Sequence, residues 1–225
     1  MQAGNIKVIV TGVTGMAGEG VLHECLQHPS VTEVLVINRK PCGVDHPKLK
    51  EIIHQDFFDI SPIKNQLTGY DACYFCLGVT SVGKKEAEYF DLTYNLTTSF
   101  AEILCKVNPN LIFCYVSGTH TDSTEKGRVM WARVKGKTEN DLMKMPFKKV
   151  YAFRPGYLHP TKGLKNAHKI VNYLKWLYPI LKLVSPNSAS TLKQLGLAMI
   201  NVTLYGYDKN ILEVSDINKL AEKAI

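Results

Sequence analysis

Residues 7–26 read KVIVTGVTGMAGEGVLHECL, and no other stretch restricts the fold so tightly. Val8, Ile9 and Val10 form a short apolar run of the kind that makes a buried strand. Thr11-Gly12-x-x-Gly15-x-x-Gly18 follows without a break. From Gly18 onward Val21, Leu22, Cys25 and Leu26 recur at helical spacing until His28-Pro29 ends the pattern. Strand, glycine-rich turn and helix in that order present unpaired backbone N–H groups and a positive helix end to a phosphate. Gly12 permits the tight turn, Gly15 lets the backbone approach a diphosphate, and Gly18 lets helix and strand pack closely. Thr11, Gly12, Thr14, Gly15, Met16 and Gly18 are therefore assigned to the diphosphate of a dinucleotide.

The next strand, Glu33 to Ile37, ends in Asn38-Arg39-Lys40-Pro41, about 20 residues past the last glycine, where folds of this kind read the ribose. An acidic residue there would accept a hydrogen bond from a free 2′-hydroxyl and repel a 2′-phosphate. Arg39 and Lys40 instead favour NADP(H) over NAD(H), the first as a fork and the second as a point charge. The plainer alternative is a solvated turn whose charges are incidental. Leu49 to Ile53 reads as a third strand. Asp56 just beyond it is placed to accept from an adenine amino group, and Asp59 to cap the turn at Ser61-Pro62. A fourth strand, Ala72 to Leu77, runs into Gly78, so Leu77 and Gly78 fall at a carboxyl end where the backbone passes close to a ligand.

Strands and helices go on alternating. Glu86 to Val107 is a long helical pattern, apolar on two sides, which hints at deep burial or a homodimer. Leu111 to Val116 delivers Ser117-Gly118-Thr119-His120; a helix from Arg128 to Met143 carries Trp131 and Lys135 one turn apart; Val150 to Phe153 ends in Arg154-Pro155-Gly156. The class is α/β: a doubly wound parallel Rossmann sheet with helices on both faces and a small C-terminal helical substrate portion. We expect one domain over residues 1–225, with a core at 6–156 and a substrate or lid portion at 157–225.

A net charge of +7 permits contact with nucleic acid, but the lysines are scattered and no nucleic-acid module is present, so none is expected. No stretch approaches the roughly 20 apolar residues of a membrane span. Met1 to Asn5 carries neither a basic start nor an apolar run, and a cytoplasmic location is expected. Of the six cysteines, Cys73 and Cys76 form a CxxC on an apparent strand. Side chains three apart there face opposite ways, so buried free thiols are expected rather than a metal site or a redox pair.

TGVTGMAGEG, NRKP, the CLGVTS turn, VSGT, WARVKGKTE and FRPG occur in this order. Together they resemble the atypical short-chain dehydrogenase/reductase superfamily. Within it the likeness is to the small NAD(P)-binding group that includes the Tat-interacting oxidoreductase-like proteins, over residues 6–160. The resemblance implies hydride transfer between a nicotinamide and a carbonyl or alcohol. A serine steadies the substrate oxygen, a tyrosine passes the proton, and a lysine four residues on holds the ribose and lowers the tyrosine pKa. Carried over by motif, Ser117 is the serine and Lys135 the lysine, while Asn95 resembles the asparagine that supports a water beside that lysine. The implied cofactor set is completed by Asn38, Arg39, Lys40, Asp56, Leu77, Gly78 and Pro155.

Trp131 stands where the tyrosine should be. An indole N–H donates a hydrogen bond but has no acid–base step near neutral pH. Three readings follow: His120 substitutes as the acid, or the fold binds NADP(H) without turnover and Trp131 closes the pocket, or Trp131 only packs and the site lies elsewhere. The leading expectation is an NADP(H)-dependent oxidoreductase on a small carbonyl or alcohol. The alternative is a non-catalytic NADP(H)-sensing or protein-interaction module.

Lys162 to Leu183 reads as a basic amphipathic helix interrupted by Pro179 and carrying Trp176, preferred as a substrate lid over a membrane contact. Ser190 to Tyr205 reads as a helix capped by Ser190 or Thr191, Ile211 to Val214 as a last strand, and Asp216 to Ala224 as a closing helix.

Overall fold

The computed structural model describes residues 4–161, 163–166 and 188–222. Six strands follow the expected alternation: β1 (Ile6–Thr11), β2 (Val31–Asn38), β3 (Leu49–Ile53), β4 (Ala72–Phe75), β5 (Ile112–Val116) and β6 (Lys149–Phe153). The short strand β9 (Ile211–Leu212) extends the sheet at its far edge. The order is β3-β2-β1-β4-β5-β6-β9, and every pairing is parallel. The chain reverses direction across the sheet between β1 and β4, which opens a crevice at their carboxyl ends.

Alternate strand residues feed two separate cores. Val8, Val10, Val34, Val36, Ala72 and Tyr74 face one; Ile9, Leu35, Ile37, Cys73 and Phe75 face the other. Both faces are thus covered, as a parallel sheet requires. Helix α1 (Met16–Gln27) covers the first face and α3 (Leu96–Val107) with α4 (Met130–Leu142) the second. Cys73 lies in the second core while Cys76 packs against the first, and all six cysteines are free thiols.

The long helical pattern is interrupted. It divides into α2 (Glu86–Phe90), a π turn over Asp91–Asn95, and α3. One extra residue per turn rotates the downstream face, so Phe100, Ala101 and Leu104 enter the second core while Leu92 and Leu96 line the crevice. The second apolar side of this helix is spent in part on that crevice.

The described residues beyond Gly156 differ most from expectation. Tyr157–His159 (β7) and Ala189–Thr191 (β8) form a small parallel pair that the sequence pattern does not announce. Ser190 therefore sits in a strand, and Thr191 is the cap of α5 (Leu192–Tyr205). Its hydroxyl accepts from Gln194 N at 3.0 Å, and Gln194 Oε1 accepts from Thr191 N at 2.8 Å. Leu195, Met199 and Val202 of α5, with Ile217 and Leu220 of α6 (Val214–Ala221), are buried in the first core. These two helices belong to the cover of the main sheet. Gly20 and Gly196 let α1 and α5 meet closely, since a Cβ on Gly20 would lie 2.7 Å from Leu192 Cβ. Most of the amphipathic segment, Trp176 and Pro179 included, lies outside the described residues.

Candidate active site

Gly12 adopts φ of +72°, and a Cβ there would lie 2.7 Å from the Cys76 carbonyl group. A Cβ on Gly18 would lie 2.2 Å from Gly12 O. Neither position admits a side chain. The turn closes by Gly15 N donating to Gly12 O at 2.9 Å, and no side chain caps α1 at Gly15. The first N–H groups of α1 are thus left for an outside acceptor. Thr14 and Gly15 are exposed and Met16 half-buried beside them. Thr11 is fully buried, with no hydrogen bond to its hydroxyl oxygen among the described residues.

A cleft of about 510 Å³ opens from this turn. Gly12 and Thr14 line it on one side, Asn38, Arg39 and Lys40 on another, with Leu77 on its floor. A contiguous pocket of about 140 Å³ is walled by Asp56, Phe57, Gly78, Leu92 and Leu96. Its flat apolar walls and one exposed carboxylate suit a purine. Asp56 Oδ1 accepts from Phe58 N at 2.9 Å, so one oxygen is engaged locally. Among the described residues neither Arg39 nor Lys40 is paired with a carboxylate.

A second cluster joins the end of β5 to α4. Trp131, Lys135 and Glu139 recur every four residues on α4, one helical face. Lys135 Nζ donates to Ser117 O, which ties this face to β5. Burial draws the Lys135 ammonium down to about 8, against the pull of Glu139. Ser117 Oγ donates to Glu139 Oε1 at 2.5 Å and to Phe153 O at 3.1 Å. Glu139 is 1% exposed and is held by Arg154, whose Nε lies 3.1 Å and Nη2 2.5 Å from its two oxygens. Arg154 also reaches Glu213 Oε1 at 3.2 Å and Ser123 Oγ at 2.5 Å.

The remaining expected residues are distributed unevenly. Pro155 O accepts from Thr119 N at 3.0 Å, which fixes the strand end beside Ser117. His120 is exposed with φ of +63°, in a turn closed by Thr121 N on Gly118 O. Asn95 lies at the end of the π turn and donates from Nδ2 to Asp91 Oδ1 at 2.9 Å. Glu139 and Arg154 escaped the sequence reading as functional residues, although their signals were visible: Glu139 follows Lys135 by one turn, and Arg154 ends a strand. Gln55 also lines both cavities and was passed over.

Sheet order and glycine cradle together define a dinucleotide-binding fold of the Rossmann type. The chain belongs to the NAD dependent epimerase/dehydratase family, whose model matches residues 8–129, more than half its length. It is 25% identical over 189 residues to the protein FMP52, mitochondrial, of Candida albicans, covering 79% of this chain and 81% of that one. The protein fmp52-1, mitochondrial, of Aspergillus terreus and the protein FMP52, mitochondrial, of Saccharomyces cerevisiae are also 25% identical, over 69% and 67% of this chain and 68% and 64% of theirs. Among solved structures, a dTDP-glucose 4,6-dehydratase from Streptomyces venezuelae matches with a TM-score of 0.68 at 14% identity, covering 93% of this chain and 75% of that one. An NADPH-bound carbonyl reductase from chicken fatty liver matches with a TM-score of 0.64 at 14% identity, covering 95% and 98%. These two likenesses show the fold. The cytoplasmic expectation is corrected by the relatives, all three of which are named as mitochondrial. The first five residues simply carried no signal that composition could read.

Proposed function

We propose that this chain is an NADP(H)-dependent oxidoreductase that interconverts a small alcohol and its carbonyl, in the mitochondrial setting of its named relatives. The observation that carries the reading is the pair of cations, Arg39 and Lys40, that have no carboxylate partner among the described residues and line the same cleft as the glycine turn. A diphosphate on the N–H groups of α1 leaves the adenosine ribose at the tip of β2, where those cations suit a 2′-phosphate. Asp56, Leu92 and Leu96 receive the adenine. The bound nicotinamide supplies or accepts a hydride.

The chain's own residues handle the proton. Lys135 Nζ spends one donor on Ser117 O and has two further N–H groups to offer a substrate oxygen. With a pKa near 8 it gives a proton to a forming alkoxide or takes one from an alcohol, and solvent restores it. Ser117 has one proton directed toward two acceptors, so it offers lone pairs and steadies a substrate hydroxyl. Trp131, one turn before Lys135, contributes an indole donor and an apolar wall.

Single-turnover reactions of the full chain with NADPH and a panel of small aldehydes and ketones test this reading. Nucleotide oxidation that tracks loss of one carbonyl class supports it. Tight NADPH binding with no turnover across the panel would favour the second reading, a nucleotide sensor, for which Trp131 in the tyrosine's place is the specific observation.

A further inference from the structure

The segment that carries Arg39 and Lys40 has no regular structure of its own beyond Asn38, yet it is held from one side at three points. Glu51, on β3, accepts from Asn38 Nδ2 at 2.7 Å and from Cys42 N at 2.9 Å, both on the single oxygen Oε1. Gln55 Nε2 donates to Arg39 O at 2.7 Å, and His54 N donates to Asn38 O at 2.8 Å. Both ends of the segment 38–42 are thereby pinned to one carboxylate oxygen and its middle to one amide.

We propose that Glu51 and Gln55 are positioning residues that set the preference for a 2′-phosphorylated nucleotide by bracing the segment that presents Arg39 and Lys40. The proposal rests on reading the cleft as an NADP(H) site. Adjacent cations repel, and each loses rotamer freedom when it closes on a phosphate. A fixed backbone moves part of that ordering from binding into folding, so more of the contact energy appears as affinity. Glu51 carries a negative charge, yet its hydrogen bonds go to the neutral N–H groups of Asn38 and Cys42. The brace therefore steadies the pair without occupying either member. The diphosphate is held elsewhere, by the turn at Gly12 and the start of α1. Loosening the segment should cost the 2′-phosphate alone.

Calorimetric titration of the full chain with NADPH and with NADH, for wild type and for Glu51→Ala, Glu51→Gln and Gln55→Ala, tests the proposal. Circular dichroism melts of each variant accompany the titrations. The expected result is a wild-type preference for NADPH that Glu51→Ala and Gln55→Ala each lower by about tenfold, with NADH binding held within about twofold in Glu51→Ala, whose side chain lines neither cavity. Glu51→Gln keeps an oxygen that accepts both bonds and should retain the wild-type ratio. A wild-type ratio in both alanine variants would overturn the brace while leaving the cofactor assignment intact, as would equal loss of both nucleotides in folded protein. Glu51→Gln falling as far as Glu51→Ala would overturn bracing in favour of charge. A wild type indifferent to the 2′-phosphate would remove the cofactor reading itself, and the brace with it.

Discussion

Ser117 Oγ lies 2.5 Å from Glu139 Oε1, a carboxylate buried to 1% exposure and held on its other side by Arg154. A serine hydroxyl carries one proton, and here it points between that carboxylate and Phe153 O, 3.1 Å away. The resemblance implies a serine here that steadies the substrate oxygen, and with its proton spent on these two acceptors Ser117 would do so through its lone pairs.

The Glu139–Arg154 pair sets a cost for disturbing that arrangement. Glu139→Ala leaves Arg154 facing the core with the half-exposed Glu213 as its one charged partner among the described residues. We expect a loss of about 3 kcal/mol in urea unfolding, since removing one member of a buried pair strands the other. Glu139→Gln should lose less, and an alanine variant as stable as wild type would show that the pair holds nothing in place.

Lys135 gives the fold a pH signature of defined sign. Its pKa falls from 10.5 to about 8 on folding. Between those values the unfolded chain holds a proton that the folded chain has released, so this group's contribution to stability rises with pH through the window. Below about pH 8 the cost of burying the charge is fully present. Unfolding free energies of wild type and Lys135→Met should therefore diverge in the wild type's favour between about pH 8 and pH 10. A difference that stays flat over this range would contradict a buried, depressed lysine.

The resemblance to short-chain dehydrogenases puts Trp131 in the place of a proton-passing tyrosine. With Ser117 and Lys135 already tied together, Trp131→Tyr should raise carbonyl reduction by about a hundredfold, the usual yield of a well-placed general acid. Steady-state rates with the carbonyl class found by single turnover measure this. No gain would mean that the cleft has moved away from that chemistry.

The parts of the site that were legible in the sequence are those written in local spacing. The glycine turn sits between a strand and a helix only a few residues away, and Trp131 and Lys135 share a face because four residues make roughly one turn. What stayed hidden depends on contacts between distant elements. The bond from Glu51 to Asn38 joins neighbouring strands whose register is set by the whole sheet. The π turn at Asp91–Asn95 has no period that a pattern of apolar residues can reveal, so Leu92 and Leu96 looked like surplus apolar surface. The β7–β8 pair brings together segments about 30 residues apart through three residues each, too few to form a pattern. Arg39 and Lys40 were legible as charges, while their freedom from carboxylate partners among the described residues became visible only in three dimensions.

The central claim concerns which adenosine the cleft selects, and charge reversal at the tip of β2 tests it most directly. Calorimetric affinities for NADPH and NADH should be measured on wild type and Arg39→Asp. The account predicts a wild-type preference for NADPH that Arg39→Asp lowers by about a hundredfold or more, through loss of the fork and new repulsion of the 2′-phosphate, with NADH binding little changed. Equal losses for the two nucleotides, or no loss for either, would contradict it.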